Sequence, residues 1–245
     1  MTAVPALRLY WQQTGHPLEK MLFRQFLDPD SSTFTYLIAA SPGRECLIVD
    51  PVRQQVGEYL RAVEELGLTL VAALDTHVHA DHITALGALA DATGCTPRLS
   101  AAAGVEGAVP FHDGEEVGLA GVSMRALATP GHTDDSFCFL MDDRVLTGDT
   151  LLIRGTGRTD FQNGDSFAAW ESLQTLLALP DDTLVYPAHD YKGWTVSTIG
   201  EERRHNPRLQ VSTAGAYADI MAGLDLPRPG RIDVALPANR KLGRD

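Results

Sequence analysis

The chain has 245 residues, 44% of them hydrophobic and 21% charged, enough to bury a sizeable core within a single domain. A formal net charge of -12 argues against nucleic-acid binding, which needs clustered Lys and Arg to displace counterions. The N-terminus lacks the apolar core of a signal peptide, and no window approaches the ~18 uninterrupted apolar residues of a membrane span, so a protein that neither enters nor crosses a membrane is expected.

In chain order, Thr33 to Ala40 and Glu45 to Asp50 are rich in β-branched, aromatic and aliphatic side chains and flank Ser41-Pro42-Gly43. This predicts an antiparallel hairpin that opens the fold. Val56, Leu60, Val63 and Leu66 recur at helical spacing before Gly67, which predicts a helix over 54–66 with a glycine cap. Leu68 to Leu74 is a short apolar run leading straight into Asp75-Thr76-His77, so a histidine stands just past a buried strand. A second helix is predicted from His82 to Thr93, stopped by Gly94. Strands are predicted at 98–101, 122–128, 136–141, 144–146 and 183–186, each bounded by Gly, Pro or Asp, with a helix over 166–179 between the last two. Thr198-Ile199-Gly200-Glu201 carries the capping-box pattern of a helix that Pro207 should end, and a final helix is predicted over 213–224. The tail beyond Pro227 is basic and expected to be extended. The absence of a regular strand-helix rhythm favours a sheet sandwich with outer helices, in one domain over 1–245.

His77-Val78-His79-Ala80-Asp81-His82 packs imidazoles and a carboxylate into one strand-to-helix loop. A lone histidine is more often an ordinary surface or core group; this density reverses that expectation. Crowded without a cation, these groups would lose solvation and turn lone pairs on one another, a cost that a divalent metal offsets. Gly131-His132-Thr133, Gly148-Asp149-Thr150 and Ala188-His189-Asp190 each add a donor at the end of an apolar strand. Any one of these triplets alone would be read as a turn or cap; together they predict a metal centre. No glycine-rich loop precedes a Lys-Ser or Lys-Thr pair, and no serine sits in a nucleophile elbow, so nucleotide binding and serine catalysis are not expected. Cys46, Cys95 and Cys138 are odd in number, lack a C-x-x-C spacing and sit among apolar residues, which predicts reduced thiols in the cytoplasm.

The order His-x-His-x-Asp-His, Gly-His-Thr, Gly-Asp and a late histidine resembles the metallo-β-lactamase superfamily, which implies an α/β fold, the αββα sandwich of two mixed sheets between outer helices. Within it, residues 152–162 (Leu-Ile-Arg-Gly-Thr-Gly-Arg-Thr-Asp-Phe-Gln) and 186–191 (Tyr-Pro-Ala-His-Asp-Tyr) resemble the persulfide dioxygenases of the ethylmalonic encephalopathy protein type. So do 32–36, 195–198, 206–209 and 237–239, and the similarity covers nearly the whole chain. The resemblance implies one non-haem Fe(II) per chain held by His77, His132 and Asp149, with open positions at the metal. It also implies oxidation of glutathione persulfide by O2 and water to sulfite and glutathione. His79, Asp81, His82 and His189, which hold a second metal in the superfamily's hydrolases, are then expected to surround one iron and orient its ligands. Arg158, Asp160 and Asp190 are expected to form a network of ion pairs and hydrogen bonds under the site. Arg154 and Tyr191 are expected to reach the substrate, and no catalytic group beyond the metal ligands is required. Arg154, Arg158 or Lys192 would supply the local attraction for an anion that the net charge does not.

One alternative is a thiolester hydrolase of the glyoxalase II type with two metals and a bridging hydroxide. The short stretch after His189 and the closer match over 154–162 argue against it. A non-enzymatic metal-binding interaction protein is a second alternative, opposed by the intact ligand set. A sulfurtransferase partner would have to be a separate protein. The sequence does not set the oligomeric state, and a homodimer is kept as a working expectation.

Overall fold

A computed structural model describes residues 21–244. Strands β1 (Leu22–Asp28), β2 (Thr33–Ala39), β3 (Glu45–Val49), β4 (Thr69–Leu74), β5 (Thr96–Ser100) and β6 (Val109–Phe111) form one sheet in that spatial order. The pairs β1–β2 and β2–β3 are antiparallel, and the remaining pairs parallel. A second sheet is built from β7 (Arg125–Ala128), β8 (Phe137–Leu140) and β9 (Arg144–Gly148), followed, after the small ribbon of β10 (Leu151–Leu152) and β11 (Gly155–Thr156), by β12 (Leu184–Pro187) and β13 (Ser197–Thr198). Its order is β13-β12-β9-β8-β7, with β12 parallel to β9. Six α-helices are described: α1 (Val56–Glu65), α2 (Leu86–Thr93), α3 (Ser166–Leu177), α4 (Ile199–His205), α5 (Ala214–Ala222) and α6 (Ile232–Asn239).

Side-chain alternation along the strands divides the interior into three apolar layers, which is the αββα sandwich. On β2, Phe34, Tyr36 and Ile38 face the space between the sheets, where they meet Leu47, Phe139 and Leu146. Leu37 and Ala39 face the other way, onto Tyr59 of α1 and onto Leu86 and Leu89 of α2. Beyond the second sheet, Cys138, Val145 and Val185 pack against Leu173 and Leu176 of α3, Ile199 of α4 and Tyr217 of α5. Because both faces of the central strands are covered, every residue of β2 is buried.

The predicted hairpin, the first helix and the strands leading to His77, Asp149 and His189 are all present, with ends shifted by a few residues. Three expectations need correction. The hairpin does not open the fold: β1 precedes it, an edge strand whose alternation is blurred by the polar pair Arg24 and Gln25. The second helix begins at Leu86 rather than His82, because residues 82–85 spend their main-chain groups elsewhere: Thr84 N–H bonds Asn239 Oδ1 (2.9 Å) and Ala85 N–H bonds the Pro51 carbonyl (2.7 Å). The tail is not extended throughout. Residues 232–239 form α6, whose Ile232, Ala235 and Asn239 are buried at helical spacing while Asp233, Val234 and Pro237 are exposed.

Candidate metal centre

The donors meet at one end of the sandwich, where β3, β4, β9 and β12 all finish. His77, His79 and His82 follow β4, Asp149 follows β9, His189 follows β12, and His132 lies on the β7–β8 loop. Two glycines allow this convergence. Gly131 has φ +139°, and a Cβ there would stand 2.3 Å from the Ala169 backbone of α3. A Cβ on Gly157 would stand 2.2 Å from the Asp149 carbonyl and 2.9 Å from the His132 ring. Neither position has room for a side chain.

Nitrogen and oxygen atoms of His77, His132 and Asp149 lie within 4.8 Å of one another. The His77 and His132 rings stand perpendicular with centroids 5.0 Å apart, and His132 Nε2 is 3.5 Å from Asp149 Oδ2. Each imidazole is held by the nitrogen that faces away. His132 Nδ1 bonds the Arg158 carbonyl at 2.7 Å, so it carries the proton and Nε2 keeps its lone pair. Thr76 donates its hydroxyl to Asp50 Oδ2 (3.1 Å) and therefore accepts from His77 Nδ1 (3.1 Å), which frees His77 Nε2. His79 Nε2 gives its proton to Asp50 Oδ1 (3.1 Å), and His189 Nδ1 gives its own to the Ser32 carbonyl (3.2 Å).

The donor set fits a resident cation. His79 Nδ1, His82 Nε2 and Asp149 Oδ1 are buried without a hydrogen-bond partner, a costly state that a metal or its bound solvent relieves. Burial and the neighbouring imidazoles push His77 and His79 well below the usual histidine range, so both are neutral and able to ligate. Burial alone would raise Asp149, but His189, His132 and His77 outweigh it and keep the carboxyl low. His189 is raised: desolvation opposes protonation, yet Asp149 and Asp81 on either side prevail. His79, Asp81 and His82 make a second close group of potential ligands.

A cavity of about 510 Å³ opens over these donors, with Tyr191, Lys192, Phe161 and Leu226 among its walls. Tyr191 is 71% exposed and stacks on His189, with centroids 5.9 Å apart. Arg158 grips Asp160 through two nitrogens (2.6 and 2.7 Å), lies over Phe161 and bonds the Pro227 carbonyl. Asp190 stands apart from that pair: its carboxylate accepts from the Lys192 and Trp194 main chain and shapes the loop that carries Tyr191. Arg154 also lines the cavity, but its guanidinium is taken up by the fully buried Glu202 and lies over Trp194.

Sequence reasoning missed several residues that hold the centre together. Asp50 accepts from Thr76 N–H (2.7 Å) and from His79. Asp135 accepts from Val78 N–H (2.8 Å), and Gln162 donates to the Val78 carbonyl (2.7 Å). Asn239, far along the chain, bonds the loop at Thr84, His79 and His82. Asp50 offered a signal of its own, a carboxylate at the end of a buried strand, while Gln162 and Asn239 lay inside stretches that carry the family resemblance.

Residues 28–189 match the Metallo-beta-lactamase superfamily. The protein of Homo sapiens named Persulfide dioxygenase ETHE1, mitochondrial, is 42% identical over 235 residues, covering 94% of this chain and 92% of that protein. The crystal structure of ETHE1 from Myxococcus xanthus is 52% identical, superposes with a TM-score of 0.89 and covers 91% of this chain and 100% of that one. A metallo-beta-lactamase from Staphylococcus aureus subsp. aureus COL, 23% identical with a TM-score of 0.83, shares the fold.

Proposed function

This chain belongs to the persulfide dioxygenase family of the metallo-β-lactamase superfamily, and we propose that it oxidises glutathione persulfide with O2 and water at a single iron(II) held by His77, His132 and Asp149. The observation that supports this most is the convergence within 4.8 Å of two imidazoles and one carboxylate from separate loops. Iron(II), when bound there, supplies the redox chemistry that O2 and a thiolate sulfur require.

The chain's own residues do the positioning. The Arg158 carbonyl and the Thr76 hydroxyl fix the tautomers of His132 and His77, and His189 holds a proton between Asp149 and Asp81 (3.6 and 3.5 Å). The cavity volume lies in the range of roughly 300–1,000 Å³ that suits a small-molecule ligand, here a tripeptide persulfide. Lys192 and the Tyr191 hydroxyl stand at its wall and offer contacts for the glutathione carboxylates. Arg154 is already committed to Glu202 and serves this wall by shaping it.

Anaerobic purification followed by metal analysis and oxygen-electrode traces tests the reading. About one iron per chain and O2 uptake only with glutathione persulfide is the expected result. Two zinc ions and hydrolysis of lactoylglutathione would replace it with the hydrolase, and a metal-loaded protein inert to both substrates would leave a binding module.

A further inference from the structure

The cavity over the metal centre has four cationic side chains in its walls: Arg154, Arg158, Lys192 and Arg208. Arg154 is neutralised by Glu202 and Arg158 by Asp160. Among the described residues, Lys192 and Arg208 pair with no carboxylate. Of these two, Lys192 is exposed and screened by water, whereas Arg208 is half-buried. Burial pulls its guanidinium below the usual value, with the Tyr217 phenol acting weakly the other way. A guanidinium stays charged all the same, and a cation stripped of part of its water with no counter-charge is a costly arrangement that an incoming anion relieves.

The guanidinium is also held in place. Arg208 lies in the 3-10 turn Pro207–Leu209 between α4 and α5. Asn206 fixes that turn, accepting from the Arg208 N–H at 3.1 Å and donating to the Gly155 carbonyl of β11 at 2.9 Å. The arginine side chain then reaches β11, where Nη1 donates to the Thr156 carbonyl and, at 3.3 Å, to the Thr156 hydroxyl. The next residue, Gly157, gives its N–H to the Asp149 carbonyl at 2.7 Å, so this anchor adjoins the segment that carries a metal ligand. Among the described residues, Nε and Nη2 donate no hydrogen bond. They form the edge of the guanidinium that matches the two oxygens of a carboxylate.

We propose that Arg208 seats the glycine carboxylate of glutathione persulfide, fixing which end of the tripeptide lies on this wall. The proposal rests on the dioxygenase reading and adds to it the direction in which the substrate binds. The two ends of glutathione differ in charge: the glycine end carries a lone carboxylate, and the γ-glutamyl end a carboxylate beside an ammonium. The cavity differs in the same way. Of its lining carboxylates, Asp81 and Asp149 belong to the metal centre, and Asp190 stands beside Lys192, its Oδ1 accepting from the Lys192 N–H at 3.1 Å. The Lys192 wall therefore offers charges of both signs, as the γ-glutamyl end requires. The Arg208 wall offers a cation with no acid beside it, which suits a lone carboxylate and would repel an ammonium.

The test pairs iron-loaded wild type and Arg208→Gln with persulfides that keep or lose each end, read by oxygen uptake. With glutathione persulfide, Arg208→Gln should raise KM roughly 10- to 100-fold and leave kcat within about twofold, the mark of binding lost equally in ground and transition states. Arg208→Lys should recover part of the loss. The persulfides of γ-glutamylcysteine and of the glycyl monoethyl ester should show the raised KM already in wild type and no further rise in Arg208→Gln, because the same contact cannot be lost twice. Cysteinylglycine persulfide, which keeps the glycine carboxylate, should remain sensitive to the substitution. An equal penalty from Arg208→Gln on acid and ester, or a wild type that uses acid and ester alike, overturns the seat while the dioxygenase reading stands; the second comparison needs no variant to fold. A wild type that takes up no O2 with any persulfide overturns the dioxygenase reading. Calorimetric titration with glutathione itself then decides the seat: tighter binding than the glycyl ester in wild type but not in Arg208→Gln supports it, and equal binding in both proteins overturns it.

Discussion

Asn239, at the end of the last helix, donates its side-chain amide to the main-chain oxygen of His79 at 2.8 Å, tying the C-terminal segment to the middle of the histidine loop. The same amide reaches the His82 carbonyl (2.9 Å), and its oxygen accepts from Thr84 N–H (2.9 Å). One buried side chain therefore satisfies three main-chain groups of a loop that has no regular structure of its own.

Replacing that side chain should loosen the loop from behind. Asn239→Ala leaves those buried groups without partners and is expected to cost about 2–4 kcal/mol of stability, with weaker iron retention. Asn239→Asp should be worse, because a carboxylate would face two carbonyl oxygens. Thermal denaturation with metal analysis checks both; full stability in Asn239→Ala would mean that water replaces the amide.

The mononuclear assignment separates two residues whose side chains are neighbours. Asp149→Ala should abolish iron retention, whereas His189→Ala should keep iron and mainly slow turnover, since His189 lies 3.6 Å from Asp149 Oδ1 and holds it from outside. Equal iron loss in the two variants would count against a single iron on His77, His132 and Asp149.

Gly157 presses on two of the proposed ligands at once. In Gly157→Ala the methyl would meet the Asp149 carbonyl at 2.2 Å and the His132 ring at 2.9 Å, so the ligands must move. An activity loss of at least ~10-fold is expected from such misplacement, with the far-ultraviolet circular dichroism unchanged. Wild-type kcat in this variant would show that the backbone shifts instead.

Arg154 and Glu202 offer a way to tell structure from substrate binding. Glu202 is completely buried and accepts from Arg154, Ser197 (2.6 Å) and Asn206 (2.9 Å). Arg154→Ala strands that carboxylate and should cost about 3–5 kcal/mol; Arg154→Met with Glu202→Leu should recover much of it. If Arg154→Ala instead raises KM strongly at unchanged melting temperature, the guanidinium binds substrate.

The thiols make a pH prediction with a definite sign. Burial pushes Cys46 up to about 12 and Cys138 to about 11, and raises Cys95 as well. Thiolate is the reactive form, so all of them should resist a thiol-titrating disulfide reagent near pH 8 in the native protein, react more as the pH rises toward those values, and react at once on unfolding. A fast-reacting native cysteine would contradict the buried core positions.

Strand and helix periods made most of the two sheets visible before any coordinate, because a covered strand must be apolar on both faces and an outer helix on one. The His77 to His82 cluster, His132, Asp149 and His189 were visible too, since each donor follows an apolar run and the cost of crowding imidazoles is local chemistry. What could not be read was support arriving from distant segments. Asp50 behind His79, the Arg158 carbonyl behind His132 and Asn239 beneath the loop depend on where separate segments cross in space. The same holds for Arg154, whose charge suggested a substrate contact until Glu202, on a helix far along the chain, claimed it. Residue type and spacing decided which atoms can bind a metal in this protein, because both are properties of a short stretch of chain. Which lone pairs stay free to do so was decided only by the tertiary structure, because each imidazole's proton goes to the partner that packing brings to its outer side.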